Sequence, residues 1–498
     1  MTWEWIIVGV YLVALVFIFM FSITQFSLTL NYIFKRKKLD AKTKRLNKEL
    51  KSADWPQVTV QLPLYNEKFV VERLIDCIAK LDYPSDKLEI QVLDDSNDET
   101  THLVQEKVKE YNQLGIDVKL VRREDRSGFK AGALKYGLRK AKGQFIAIFD
   151  ADFLPKKDFL KRMIPYLLAD DELGVVQSRW GHINKNYSLL TRAQAFALDA
   201  HFIVEQIGRN AGSHFINFNG TGGIWRKTCI EDAGNWESDT LTEDLDLSYR
   251  AQMKGWKFRY FSEVETPAEL PATMPALKSQ QHRWTKGAAE TATKHLVSVW
   301  KSGAKLSTKF HATMHLMNSS IFVAIIVSSL LSVPVLLIKI NHFEETKGLF
   351  SVATWFFMSL LSLVFYYATS FFRIEGFSGR KLLKFVFMFP AFFSLSLGMS
   401  LHNAIAVVEG YIGKKTPFVR TPKFNILHQE INNNWKESMY RIKTINPLTW
   451  IEGLLAVYFI SGVFLGIYSQ EYDLLFMHSS IGIGYLAIFY FSIKHANN

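Results

Sequence analysis

Cysteine is nearly absent from this sequence: Cys77 and Cys229 are the only two among 498 residues. Two cysteines cannot build a disulfide framework or a four-cysteine zinc site, and we expect no bridge between them. The sequence also lacks internal repeats and low-complexity tracts, which excludes solenoid proteins. No glycine-rich dehydrogenase motif follows the first apolar strand, and no Gly-Lys-Ser/Thr completes a P-loop in segment 218–223. Dehydrogenases and nucleotide monophosphate kinases are therefore disfavoured.

Charge is missing from long parts of the chain, although the protein as a whole is basic. The net charge is +12, and 48% of the residues are hydrophobic, so a large core can form. Residues 6–34 carry no charged side chain and are followed by the basic cluster Lys35–Lys38. This stretch is too long for a cleaved signal peptide and has its basic residues behind it, which indicates a retained membrane helix.

The charges beside the apolar segments predict how the chain crosses the membrane. Because positive residues stay on the cytoplasmic side, Lys35–Lys38 place the N-terminus outside and the following block in the cytosol. The predicted organisation is a membrane helix over 1–34, a basic linker over 35–52, a cytosolic domain over 53–305, a membrane hairpin over 306–382, an interface region over 383–446 and a second hairpin over 447–498. These segments make five crossings.

The apolar segment 383–409 is long enough to span the membrane, but both of its flanks are basic. A crossing would put one basic flank outside, against the positive-inside rule. Pro390, His402, Asn403 and Glu409 interrupt the segment with polar or helix-bending positions. We therefore expect it to lie along the interface or to re-enter the membrane.

The cytosolic block has the pattern of a doubly wound α/β domain. Its short β-branched apolar runs read as buried parallel strands, and helical stretches such as 67–79 separate them. The predicted strands are 58–64, 88–95, 118–123 and 143–150. Ligands of such sheets bind beyond the carboxyl ends of the strands. Acidic and amide residues stand at those ends: Asn66, Glu67, Asp94, Asp95, Asp150 and Asp152.

Asp150 and Asp152 follow a strand directly and are separated by one residue. Two carboxylates in this position suit a hard cation, Mg²⁺ or Mn²⁺, that bridges diphosphate oxygens. The alternative is a capped turn. Asp94 and Asp95 have the same placement and predict hydrogen bonds to a base or ribose, whereas the residues after them suit a helix N-cap.

Two later motifs carry further candidate residues. Thr242-Glu243-Asp244 opens a predicted helix, where Asp244 has the chemistry of a general base. The alternative is that Thr242 caps the helix and the acids stabilise its N-terminus. In Gln280–Trp284, Arg283 can clamp a diphosphate and Trp284 can stack on a sugar. The alternative for this pair is an ordinary membrane-interface Arg and Trp.

Taken in order, these motifs resemble family 2 glycosyltransferases, and within them the membrane-embedded processive synthases of cellulose, hyaluronan and mannan type. The strings closest to cellulose synthase-like mannan and glucan synthases are QLPLYNE (61–67), QVLDDSND (91–98), FKAGALKYGL (129–138), FDADF (149–153), QSRW (177–180), FNGTGGIWR (218–226), TEDLDLSYR (242–250), ELPATMPALKSQQHRW (269–284) and FVRTPK (418–423). The resemblance covers nearly the whole chain and implies a GT-A-like cytosolic domain.

The resemblance also implies a role for each matching residue. Asn66, Glu67, Asp94 and Asp95 would bind the nucleotide, Asp150 and Asp152 the metal and diphosphate, and Lys130 and Arg283 the phosphates. Asp244 would be the catalytic base, while Trp284, Gln280 and Glu243 would contact the acceptor. Phe418–Lys423 resembles the family's gating loop, from which Thr421 and Lys423 would reach phosphate.

The implied activity is inverting transfer of a hexose from UDP-glucose or GDP-mannose to a growing β-linked polysaccharide, with translocation through the membrane. One alternative is single-sugar transfer to a lipid acceptor, of ceramide or polyprenyl-phosphate type. Another is a transporter that only senses a nucleotide. The expected partners are a nucleotide-sugar, a glycan and the lipid bilayer, without nucleic acid. We expect an integral protein of a bacterial inner membrane with its catalytic domain in the cytosol.

Overall fold

The computed structural model of the protein describes residues 2–46, 55–342, 357–416, 420–426 and 445–497. Within these ranges, a seven-stranded sheet with helices on both faces stands next to a group of long apolar helices. The strands are β1 (Val58–Leu64), β2 (Leu88–Asp94), β3 (Val118–Val121), β4 (Phe145–Ile148), β5 (Leu173–His182), β6 (Gly223–Arg226) and β7 (Lys257–Ala268).

The sheet has the order β3-β2-β1-β4-β6-β5-β7. The first four strands are parallel, β6 is antiparallel to both neighbours, and β7 pairs with β5 in parallel. The four predicted strands are confirmed, although three of them are shorter than predicted at one or both ends. The mixed half of the sheet, β5 to β7, was not predicted.

Both faces of the sheet are covered, which explains why its strands are mostly apolar on both sides. Val58, Val60 and Leu62 of β1 share one core cluster with helix 71–79. On the opposite face, Ile146 and Ile148 of β4 share a second cluster with helix 129–140. The carboxyl ends of β1, β2 and β4 therefore lie at one edge of a rigid sheet.

The helices of the sheet domain are α2 (Val71–Ala79), α3 (Thr100–Gln113), α4 (Phe129–Lys140), α5 (Phe159–Ala169), α6 (Leu189–Ala200), α7 (Gln206–Ala211), α8 (Lys227–Asp232), α9 (Glu243–Met253), α10 (Met274–Lys301) and α11 (Leu306–Leu316). The long apolar helices and their neighbours are α1 (Thr2–Leu46), α12 (Ile321–Asn341), α13 (Phe357–Glu375), α14 (Gly379–Gly398), α15 (Ser400–Tyr411), α16 (Leu448–Tyr468) and α17 (Leu475–Asn497). Helix α10 joins the two parts.

Six of the helices in the described ranges are long and apolar enough to cross a membrane. Five of them are α1, α12, α13, α16 and α17, which overlap the five predicted crossings. Ion pairs hold the ends predicted to be outside: Lys339 lies 2.7 Å from Asp473, and His342 lies 3.4 Å from Glu4. The sixth apolar helix is α14.

Helix α14 covers the first part of segment 383–409, for which we predicted an interface position, and begins before it at Gly379. Its start lies beside the end of α13, where Lys384 contacts Glu375 at 3.3 Å. Its other end leads to Met399, which packs in one cluster with Met274 and Leu277 of α10. Because α14 is also one of the six helices long and apolar enough to cross a membrane, its position along the interface stays a prediction.

Both cysteines are free thiols, as predicted.

Candidate active site

A cavity of about 250 Å³ opens beyond the carboxyl ends of β1 and β4, between the start of α9, helix α10 and segment 420–424. Most of the predicted site residues line it. They are Glu67, Asp95, Lys130, Asp150, Asp152, Glu243, Asp244, Gln280, Arg283, Trp284, Thr421 and Lys423. The structure thus brings together acids, cations and an aromatic ring from stretches of chain more than 350 residues apart.

Asn66 and Asp94 are the two predicted residues that do not line the cavity. The buried carboxylate of Asp94 accepts hydrogen bonds from the Ser96 amide at 2.9 Å and from Arg122 at 2.8 Å. Asn66 has a positive φ of 56°, and its side chain donates to Asn97 at 2.9 Å. Both residues hold the loops after β1 and β2, and their predicted contact with a nucleotide stays a prediction.

Asp95 is the acid of the Asp94-Asp95 pair that faces the cavity. Both of its carboxylate oxygens accept hydrogen bonds from the guanidinium of Arg123. Nearby, the guanidinium of Arg126 lies 3.2 Å from the centre of the Tyr65 ring, and both residues line the cavity. We did not predict Tyr65 or Arg126, although an aromatic residue directly after the β1 strand was an available signal.

Asp150 and Asp152 each form an ion pair with a lysine. The Nζ of Lys130 lies 2.5 Å from Asp150 Oδ1, and the Nζ of Lys423 lies 2.6 Å from Asp152 Oδ2. The donor set fits a hard divalent cation, because two carboxylates face one cavity and both already neutralise a positive charge. The lysines are then the groups that a metal ion would displace.

A second acidic group lies elsewhere in the described part of the chain and consists of Glu237, Asp239 and Asp246. The ammonium of Lys294 is 2.6 Å, 2.8 Å and 2.9 Å from carboxylate oxygens of these three residues. Arg250 also lies 2.5 Å from Asp246 and 3.8 Å from Glu237, so two cations share the group. We interpret it as an ion-pair network that anchors α9 to α10.

Asp244 lies in the first turn of α9, next to Glu243. Burial and the negative charge of Glu243 raise the pKa of Asp244 to about 7, against the opposing effect of Lys130. Burial also raises the pKa of Glu243. Thr242 precedes the helix but makes no side-chain capping hydrogen bond, so the capping alternative for this residue is wrong. An acid with a raised pKa in a cleft is typical of proton-transfer sites.

Gly220 allows the loop before β6 to approach Asp244 closely. Its φ is +78°, and a Cβ atom at this position would lie 3.0 Å from Asp244 Oδ2. The carbonyl oxygen of Gly220 accepts a hydrogen bond from Lys130 at 2.9 Å. Glycine is therefore required here both for backbone conformation and for space.

Helix α10 contributes Gln280, Arg283 and Trp284 to the cavity. Arg283 donates to the hydroxyl of Thr421 at 2.6 Å, and burial lowers the pKa of its guanidinium. The Trp284 ring lies 6.3 Å from the ring of Trp180, which also lines the cavity. Trp180 was not predicted as a site residue, although it stands in the motif QSRW.

Segment 420–424 covers one side of the cavity. Lys423 donates to the carbonyl oxygen of Glu269 at 2.8 Å, and the Phe424 amide donates to Glu269 Oε1 at 2.8 Å. Arg420 lies 2.9 Å from Glu67, whose pKa is raised to about 8 by burial. Glu269 is a further residue that we did not predict. Phe418, the predicted start of the gating loop, lies outside the described residues.

The cavity lies beyond the carboxyl ends of the strands, where α/β sheets bind their ligands. Residues 56–287 match the family model described as "Glycosyltransferase like family 2". Residues 56–287 therefore form a family 2 glycosyltransferase domain, and the family 2 resemblance of the motifs is confirmed for this part of the chain.

Two curated relatives are similar to this chain. A probable glucomannan 4-beta-mannosyltransferase 4 from Oryza sativa subsp. japonica is 42% identical over 293 residues, which are 56% of this chain and 51% of that protein. Glucomannan 4-beta-mannosyltransferase 9 from Arabidopsis thaliana is 43% identical over 265 residues, which are 51% and 50% of the two chains. The chain spans about half the length of the curated relatives it matches.

Among solved structures, the chain is similar to mannosyltransferase PcManGT from Pyrobaculum calidifontis in complex with GDP-Man and Mn²⁺. The sequence identity is 20% and the TM-score is 0.47, over 72% of this chain and 98% of that one.

The apolar helices indicate an integral membrane protein. Our expectation of a bacterial inner membrane is not supported, because the curated relatives reported above are plant proteins.

Proposed function

We propose that the protein is an inverting hexosyltransferase that adds mannose from a nucleotide-diphosphate donor to the end of a β-linked polysaccharide. The observation that carries this proposal is the single cavity shared by Asp150, Asp152 and Asp244, with Arg283 and Trp284 in its wall. The names of the plant relatives favour mannose over glucose, and therefore GDP-mannose over UDP-glucose.

Asp244 would take the proton from the attacking hydroxyl of the acceptor. A carboxyl group with a pKa of about 7 suits this work, since a large fraction is deprotonated at neutral pH and that fraction is basic enough to accept a proton. One base and a direct displacement at the anomeric carbon invert its configuration, so an α-linked donor gives a β-linked product. No second carboxylate is needed as a nucleophile.

Positive side chains would receive the departing diphosphate. Arg283 has the forked geometry that holds two phosphate oxygens, and it lies in a buried wall where electrostatic stabilisation is strong. Lys130 and Lys423 would move from the carboxylates to phosphate oxygens. A Mg²⁺ or Mn²⁺ ion held by Asp150 and Asp152 would supply further positive charge to the diphosphate.

The acceptor sugar would lie against the indole rings on the other side of the cavity. Trp284 and Trp180 offer apolar faces to the sugar ring, and Gln280 and Glu243 offer hydrogen bonds to its hydroxyls. Trp284 and Gln280 lie on α10, and this helix also packs against helices of the apolar group. This proximity supports extrusion of the product through the bilayer.

The test is a transfer assay with the purified full-length chain, Mg²⁺ or Mn²⁺, and a panel of GDP- and UDP-sugars. We expect a β-1,4-linked polymer from GDP-mannose. A product that carries a single sugar on a lipid would instead support the lipid-acceptor alternative. A protein that binds the donor and transfers no sugar would contradict the proposal.

Replacing Glu243 by glutamine should move the acid limb of the pH profile of kcat/KM to lower pH by roughly one unit. The base must be deprotonated, so transfer falls as the pH drops through the pKa of Asp244. Glu243 helps to raise that pKa, and removing its charge lowers it. Glu231→Gln on the exposed surface of α8 is the matched control and should leave the limb in place. An unshifted limb in Glu243→Gln would rule out this electrostatic coupling.

A further inference from the structure

Between α6 and α7 the chain forms one π-helical turn, His201–Glu205. Turns of this kind are rare in proteins, and those that occur are often found at functional sites. Here the turn packs against α1 and α13 on one side. On the other side His201 contacts Asn219, and Phe202 contacts Trp180 with ring centres 5.1 Å apart. The turn thus joins the membrane helices to two residues of the cavity wall.

The partners of His201 decide which of its two ring nitrogens carries a proton. Its Nδ1 lies 3.0 Å from Glu205 Oε2, and its Nε2 lies 3.3 Å from the side-chain nitrogen of Asn219. Although burial alone would raise the pKa of Glu205, the positive charge of Arg209 holds that pKa well below its usual range. An ionised carboxylate only accepts hydrogen bonds, so Nδ1 carries the proton and Nε2 accepts from Asn219.

Asn219 is held at three of its polar atoms. Besides the contact with His201, its side-chain oxygen accepts a hydrogen bond from Gln206 at 2.8 Å, and its backbone N–H donates to the side-chain oxygen of Gln177 at 3.1 Å. Asn219 lines the cavity and directly precedes Gly220, which lies against Asp244 and Lys130. A shift of Asn219 would therefore move the loop that faces the proposed base.

We propose that His201, oriented by Glu205, is a positioning residue that fixes Asn219 and the loop 217–222 for sugar transfer. It touches neither the cavity nor the proposed reacting atoms, so it acts through Asn219. Glu205 accepts a hydrogen bond from Arg209 at 2.8 Å, and Arg209 also donates to the backbone carbonyl oxygen of His311 in α11. The loop is thereby tied to the helix that leads into α12. The kinetic part of this inference rests on the proposed function.

The first test compares His201→Leu with His201→Gln in the full-length chain. We expect His201→Leu to lower kcat by about 10- to 100-fold with the donor Kd within about twofold, because misplacement by an ångström costs rates of that order. His201→Gln should recover a part of the rate, since its side-chain oxygen can accept from Asn219. His102→Leu is the matched control, because His102 and Glu106 form the same i,i+4 pair on the surface of α3 and should leave kcat unchanged.

The second test distinguishes positioning from a general structural role. In an Asn219→Ala background, His201→Leu should lower kcat by less than about twofold further, because its effect passes through Asn219. Equal losses in both backgrounds, or a His201→Leu variant as fast as the wild type, would overturn the inference.

The third test needs no turnover. Hydrogen–deuterium exchange of segment 217–222 should become faster in His201→Leu than in the wild type, while segment 88–94 stays unchanged. If His201→Leu does not fold, His201→Gln serves for the same measurement, with a smaller increase expected. Unchanged exchange in the folded variant would overturn the inference. A wild type that transfers no sugar contradicts the proposed function, and the exchange result then still decides the role of His201.

Discussion

Replacing Asp244 by asparagine should lower kcat for sugar transfer by at least about 10³-fold, because the amide cannot accept the proton of the acceptor hydroxyl. Donor binding should persist, since Asp150, Asp152 and the cationic side chains of the cavity are unchanged. The measurement pairs a radiolabelled-sugar transfer assay with calorimetric titration of the nucleotide. Loss of transfer with retained binding would also exclude a transporter that only senses a nucleotide.

The matched control for this experiment is Asp86→Asn, on an exposed turn before β2. It makes the same chemical change without touching the cavity, and its kcat should equal that of the wild type. If Asp244→Asn transferred sugar at the wild-type rate, Asp244 could not be the base. The neighbouring carboxylate Glu243 would then be the next candidate.

Replacing Asp150 by asparagine should reduce metal-dependent kcat/KM by roughly 10³-fold, an electrostatic effect of the size seen when a charge-stabilising group is removed. The amide is a poor ligand for Mg²⁺ or Mn²⁺, and it also frees Lys130, which now lies 2.5 Å from Asp150. The measurement removes metal with a chelator and then titrates Mn²⁺ back, following both donor binding and transfer. Wild-type activity should disappear with the chelator and return with the metal.

Asp158→Asn provides the comparison for Asp150→Asn, since Asp158 is an exposed acid at the start of α5. Its Mn²⁺ dependence should match that of the wild type. An Asp150→Asn variant with the same Mn²⁺ dependence as the wild type would show that Asp150 is not a metal ligand. Activity that survives the chelator would argue against a metal at this site altogether.

The sequence predicted the parallel half of the sheet well and the mixed half not at all. Strand β4 is a continuous apolar run, and the polar residues within β1 and β2 stand singly among apolar ones, a pattern typical of strands buried on both faces. Strand β5 contains Gln177, Ser178 and Arg179, which interrupt the apolar pattern. The partners of these residues, such as Thr266 for Ser178 at 2.8 Å, come from distant chain positions that no local pattern contains.

The candidate site was predicted by residue type more successfully than by orientation. Asp94 and Asp95 are adjacent acids, and successive side chains at a strand end point to opposite sides. The fold decides that Asp95 faces the cavity and that Asp94 supports the loop. We did not predict Glu269 as a site residue because its contact partner Lys423 lies 154 residues further along the chain.

The sequence by itself determined the apolar helices, the strand ends with their acids, and the basic flanks from which we predict the membrane topology. Each of these follows from local spacing and charge, which the chain carries without folding. Only the tertiary structure decided which cation neutralises which acid, as in Lys423 with Asp152, and how His201 reaches Asn219. Contacts of this kind depend on distance and burial, and these exist only once the sheet and helices have packed.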